Sequence, residues 1–111
     1  MIVTYYAIFT YDSDGICVSF PDVPAANTCG FSDPEAIEMA QDVLIIALHG
    51  TEVSELPNPT PSICMSLHKR QKLCPISVGF DIQHGKLIHK KVKTYPSRNK
   101  SLKRFFLKFL R

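Results

Sequence analysis

Apolar and polar positions alternate from the start of the chain. Residues 2–11 (Ile-Val-Thr-Tyr-Tyr-Ala-Ile-Phe-Thr-Tyr) are rich in β-branched and aromatic side chains, a composition that favours a strand. A period of two puts Val3, Tyr5, Ala7, Phe9 and Tyr11 on one face and Ile2, Tyr6 and Ile8 on the other. Asp12-Ser13-Asp14-Gly15 supplies a turn in which Gly15 is free to take a positive φ. Residues 16–20 (Ile-Cys-Val-Ser-Phe) alternate again and predict a second, antiparallel strand. Pro21-Asp22-Val23-Pro24 stops it, and 25–30 predicts a short third strand.

The period then changes. Ser32-Asp33-Pro34-Glu35 is a capping box, with Ser at the N-cap and Glu three residues on, and Pro34, Asp33 and Glu35 all suit a first helical turn. The helix is predicted from 33 to 48, with Gly50 ending it. At about 100° per residue, Ala36, Ile37, Ala40, Val43, Leu44, Ala47 and Leu48 share a face, while Glu38, Gln41, Asp42 and Ile45 fall opposite. Residues 50–62 form a linker whose prolines at 57, 59 and 61 favour an extended, semi-stiff path.

Residues 73–82 alternate once more, with Ile76, Val78, Phe80 and Ile82 on one side. His84-Gly85 predicts a turn, and 86–95 a further, basic strand. In the last stretch Leu102, Phe105, Phe106, Phe109 and Leu110 fit a helical spacing, with imperfect alternation as the strand reading. The pattern predicts an α+β fold: a small antiparallel sheet, one covering helix, and a basic C-terminal extension. Residues 1–61 form its core, 62–96 a fourth strand that completes the sheet, and 97–111 an amphipathic tail.

Charge changes this picture most. Residues 1–61 hold nine carboxylates and no Lys or Arg; residues 62–111 hold all thirteen basic residues and the one remaining carboxylate, Asp81. The formal charge is −9 followed by +12 (13 basic minus 1 acidic), inside a total of +3. Such a split points to separate partners for the two halves, or to a polyanion-binding tail. A helix face bearing Glu38 and Asp42 around Ile45 suits docking to a basic protein as well as plain solvation.

Candidate chemistry is sparse. Cys17, Cys29, Cys64 and Cys74 have neither metal-knuckle nor CxxC spacing, and reduced packing thiols are expected. His49, His68, His84 and His89 are scattered. Asp12, Asp14 and Asp22 read as turn-shaping residues rather than as a metal pair for a nuclease. No cofactor is expected, and no enzymatic activity. The longest apolar run, 43–48, is far short of the ~20 residues that cross a membrane. The N-terminus has no basic flank of a secretory signal, so the cytoplasm is expected.

Three runs of residues resemble the HicB-like antitoxins. They are 6–24 (Tyr-Ala-Ile-Phe-Thr-Tyr-Asp-Ser-Asp-Gly-Ile-Cys-Val-Ser-Phe-Pro-Asp-Val-Pro), 28–32 (Thr-Cys-Gly-Phe-Ser), and Pro34-Glu35-Ala36 opening the helix. The resemblance covers 3–61. It implies a β-β-β-α-β core like a truncated ribonuclease H fold, without nuclease activity, that binds and blocks a small basic messenger-RNA-cleaving toxin. Ala25 stands where that family commonly has Gly.

With the acidic face, this gives Asp22, Pro24, Glu38, Asp42 and Ile45 as the expected toxin-docking residues. Segment 98–104 resembles the start of the ribbon-helix-helix module of longer members, but 105–111 is too short to complete it. Arg98, Lys100, Lys103, Arg104 and Lys108 are the expected nucleic-acid contacts. The tail admits three readings: phosphate binding, a membrane surface, or packing on the sheet or on a second copy. The membrane reading is the weakest, and self-association is expected.

Overall fold

A computed structural model describes residues 1–89 of the 111. The expectations for 90–96 and for the tail at 97–111 lie outside the described residues. Six strands and one α-helix are described, with two short 3-10 turns at Val53–Glu55 and Ser62–Cys64. Strands β1 (Ile2–Asp12), β2 (Gly15–Ser19), β3 (Asn27–Gly30) and β4 (Gln71–Gly79) form one antiparallel sheet in the order β3-β2-β1-β4. Helix α1 (Asp33–Leu48) covers one face of it, packing on β3, β4 and β2. A hairpin of β5 (Asp81–Gln83) and β6 (Lys86–Ile88) follows β4.

The alternation in β1 decides which sheet face is covered. Val3, Tyr5, Ala7 and Phe9 are buried beneath the helix with Val18, Phe20, Ile76 and Val78. Ile2, Thr4, Tyr6, Ile8 and Thr10 point to the other, helix-free face.

Register fixes the hydrogen-bond phase. The β1–β2 hairpin closes at Asp12↔Gly15, and a pair flanking a two-residue turn must be a hydrogen-bonded one. Alternation then gives the even residues of β1 to β2 and the odd ones to β4. Tyr11 N–H donating to the Arg70 carbonyl at 2.9 Å, and Phe80 N–H to the Met1 carbonyl at 2.7 Å, obey this phase. In β4, therefore, Lys72, Cys74, Ile76 and Val78 bond to β1. Gln71, Leu73, Pro75, Ser77 and Gly79 turn their backbone groups outward. Pro75, which has no N–H, sits where the missing donor costs the sheet nothing.

The fourth strand ends earlier than its alternation predicts. β4 stops at Gly79, and Ile82, expected on the buried side, is 51% exposed in the separate β5–β6 hairpin. His84 (φ 54°) and Gly85 (φ 76°) form the predicted turn, with the paired positive φ angles that match a tight hairpin's twist. The hairpin docks at the end of α1. Gly50 N–H donates to the Leu87 carbonyl, and Leu87 N–H to the Thr51 carbonyl, so Leu87 is fully buried.

Candidate protein-docking surface

The N-terminus of α1 is fixed by the capping box. The Ser32 hydroxyl accepts from Glu35 N–H at 3.3 Å, and the Glu35 carboxylate accepts from Phe31 N–H at 2.8 Å. These bonds satisfy backbone donors that have no partner within the helix. One residue ahead, Gly30 lies so close that a Cβ there would be 2.5 Å from the Ala36 nitrogen, which explains why the strand-to-helix corner is a glycine.

From this fixed start, four-residue steps place Glu38, Asp42 and Ile46 in one row along the outer side of the helix. Glu38 is exposed, Asp42 half-buried, and Ile46 38% exposed. The last turn of α1 has no basic residue. The row is therefore negative with an apolar end.

One of the docking residues expected from the sequence needs correcting. Ile45 is not on the outer surface: it is 9% exposed and belongs to the core cluster. That cluster extends to Leu87, Val53 and Leu56, from segments that follow the helix. A helical period assumes one covered side, whereas here the returning chain adds cover that the period cannot register. The exposed isoleucine is its neighbour Ile46, and Ile37, expected in the core, is also 38% exposed.

Asp22, partly exposed, also has a partner within the chain. Its two carboxylate oxygens accept from Thr60 N–H at 2.8 Å and Thr60 Oγ1 at 2.6 Å. The Tyr5 hydroxyl donates to the Pro57 carbonyl at 2.7 Å, and its pKa is pushed up by burial and then by the Asp22 charge. Both side chains tie the proline-rich strap to the sheet. Pro24 is exposed in the turn after β2, with Asn27 Nδ2 donating to its carbonyl at 2.8 Å.

So Glu38 and Asp42 come together on α1, while Asp22 and Pro24 belong to the β2–β3 connection. Phe31, 58% exposed just ahead of the capping box, is a further apolar candidate that residue periodicity did not single out. Its signal was local: a large aromatic outside both the strand pattern and the helix face. Arg98, Lys100, Lys103, Arg104 and Lys108 lie outside the described residues.

The other turn carboxylates sit as shapers of the chain. Asp12 pairs with Arg70 at 3.5 Å, both largely exposed, and Asp14 lies in the β1–β2 turn. Among the described residues no three His, Cys, Asp or Glu side chains gather as a metal cluster, and no helix is long and apolar enough to cross a membrane.

The described fold is that of a small α+β protein with a negative row on its helix. No protein-family model matches the chain. Over 58 residues it is 41% identical to Antitoxin HicB 2 of Photorhabdus laumondii subsp. laumondii, a match covering 52% of this chain and 42% of that protein. The match thus spans less than half the length of that curated relative. A solved toxin-antitoxin complex from Streptococcus pneumoniae contains a similar fold, with a TM-score of 0.61, 27% identity, and 71% of this chain and 70% of that one covered. The chain is thus similar in sequence, over about half its length, to a HicB antitoxin, and similar in fold to one chain of a toxin-antitoxin complex.

Proposed function

We propose that this protein is an antitoxin that works by occlusion: it binds a small, basic, messenger-RNA-cleaving toxin and hides the surface the toxin uses on RNA. The observation that carries the reading is the Glu38–Asp42–Ile46 row on a HicB-like core whose first 61 residues contain no Lys or Arg. One-signed charge steers a basic partner into encounter, and Ile46 and neighbouring apolar surface slow its departure. On this reading the protein has no catalytic role and needs no cofactor. It acts in the cytoplasm, where the toxin's substrate is.

The test is to purify the chain with the product of the adjoining reading frame and measure binding and RNA cleavage together. Stoichiometric inhibition is expected. Replacing Glu38 and Asp42 by Lys should slow association about tenfold or more at low salt. Absence of both binding and inhibition rejects the reading.

Self-association, expected from the sequence, belongs to the same proposal, and sedimentation velocity of the full chain tests it.

A second role, nucleic-acid binding through Arg98, Lys100, Lys103, Arg104 and Lys108, is favoured by the lack of any carboxylate after Asp81. It requires log affinity to fall linearly with log salt, and binding to vanish when 97–111 are removed.

A further inference from the structure

The register brings two of the four cysteines face to face. Cys17 of β2 is the direct cross-strand partner of Cys29 of β3. The hydrogen-bond phase derived above gives Cys17's backbone groups to β1 and turns those of Cys29 outward. Cys17 and Cys29 are therefore a non-hydrogen-bonded pair, the kind in which Cα atoms approach to ~4.5 Å and side chains on the same face come closest. That separation lies inside the ~4.4–6.8 Å range spanned by disulfides.

The other thiols have no such neighbour: Cys74 faces Ala7 across β1–β4, and Cys64 lies in the 3-10 turn after the strap. The two partners also differ in access. Cys17 is exposed on the helix-free face, while Cys29 is 4% exposed.

We propose that Cys17 and Cys29 form a reversible thiol-modification site, oxidised by low-molecular-weight disulfides such as glutathione disulfide to a cross-strand bond that staples β3 to β2. In the first step the Cys17 thiolate attacks one sulfur of the small disulfide. That S–S bond breaks, a mixed disulfide forms on Cys17, and one small thiolate leaves. In the second step the Cys29 thiolate attacks the Cys17 sulfur and expels the other small thiolate. The two cysteine protons end on the two released thiols, so one disulfide is reduced as one is made. Access is needed only at Cys17, because Cys29 reacts from within. The bond would fix the edge strand that leads through Gly30 and Phe31 into the capped start of α1.

The experiment uses the full chain, incubated with glutathione disulfide, alkylated, and read by intact mass and peptide mapping. Trypsin cannot separate the two cysteines, since 1–61 contain no Lys or Arg. Cleavage before Asp14, Asp22 and Asp33 puts them on fragments 14–21 and 22–32. The expected product has lost two hydrogens and yields these fragments linked, and reductant separates them.

Cys29→Ser should stop at a stable glutathione adduct on Cys17, and Cys17→Ser should form neither the link nor an adduct at Cys29. The proposal is overturned if the native chain accumulates only the Cys17 adduct, or if the link forms through Cys64 or Cys74. Equal modification of Cys29 in Cys17→Ser would overturn the assigned order of attack.

Discussion

The carboxylate of Asp22 holds both the backbone N–H and the hydroxyl of Thr60, a residue 38 positions further along the chain, at 2.8 and 2.6 Å. This pair of hydrogen bonds from one threonine fixes the proline-rich strap against the β2–β3 connection. Asp22→Ala leaves both Thr60 donors without this acceptor and should cost about 1–3 kcal/mol. Asp22→Asn keeps one acceptor oxygen and should cost less. Urea unfolding at neutral pH measures both, and equal loss in the two variants would contradict the bidentate role.

Ile45 and Ile46 are adjacent but should behave oppositely. Ile45→Ala opens a cavity in the core and should destabilise by about 2–5 kcal/mol. Ile46→Ala should stay within about 0.5 kcal/mol of the native stability. In binding to a basic toxin the order should reverse among folded proteins: Ile46→Ala should speed dissociation. Paired unfolding and dissociation-rate measurements on the two variants decide this.

Gly30 should tolerate no side chain. A methyl group there would meet the Ala36 nitrogen at 2.5 Å and its Cα at 2.7 Å, both backbone atoms at the start of α1. Gly30→Ala must push the helix off the sheet, with an expected loss of about 1–3 kcal/mol. A thermal melt detects it, and an unchanged melting temperature would refute the close approach.

Pro75 sits in the middle of the nine-residue outer strand, at a position whose backbone points away from the sheet. Pro75→Val should leave the fold intact, because β1 loses no bond, while restoring a donor midway along an edge that is unpaired among the described residues. Concentration-dependent association through that edge is the expected outcome, read by sedimentation velocity. An unfolded variant would instead mean that proline's fixed φ was required there.

Tyr11 donates to Asp33 Oδ1 at 2.6 Å, and this bond to a carboxylate, with smaller contributions from burial and charge, raises its pKa to about 12. The folded value exceeds the ordinary ~10 of an unfolded tyrosine, so the contribution is fully present below pH ~10 and is lost as pH climbs through the folded value. Tyr11 is too exposed for a large effect on stability. The phenolate titration is the sharper readout: Tyr11→Phe should remove a late-ionising step, and Asp33→Asn should move that step earlier.

Much of this was legible in the residues. The alternation of 2–11 grouped Val3, Tyr5, Ala7 and Phe9 on one face, which the fold buries, and the Ser32–Glu35 box placed the helix start. Asp12-Ser13-Asp14-Gly15 and His84-Gly85 marked their turns, where Gly15, His84 and Gly85 take the positive φ. What stayed hidden depends on contacts far apart in sequence. Ile45 and Ile46 exchange roles because segments beyond residue 50 extend the core near the end of α1. The bonding of Asp22 to Thr60 requires the strap's path, and the split of β4 from β5 requires the hairpin to dock beside Gly50. Alternation runs on through Phe80 and Ile82 although the strand does not.

The pairing of β4 with β1 separates two boundaries that the charge pattern would merge. The sign of the chain flips near residue 61, yet β1 is hydrogen-bonded along its length to a strand from the positive side of that flip. A fragment ending at 61 would keep the acidic residues and lose a wall of its own core, since Ile76 and Val78 close the space over Tyr5 and Val3. Polarity here is painted across a single folding unit, so dissecting the protein by charge would cut through its interior, and the two halves can be assigned separate tasks only while they remain joined.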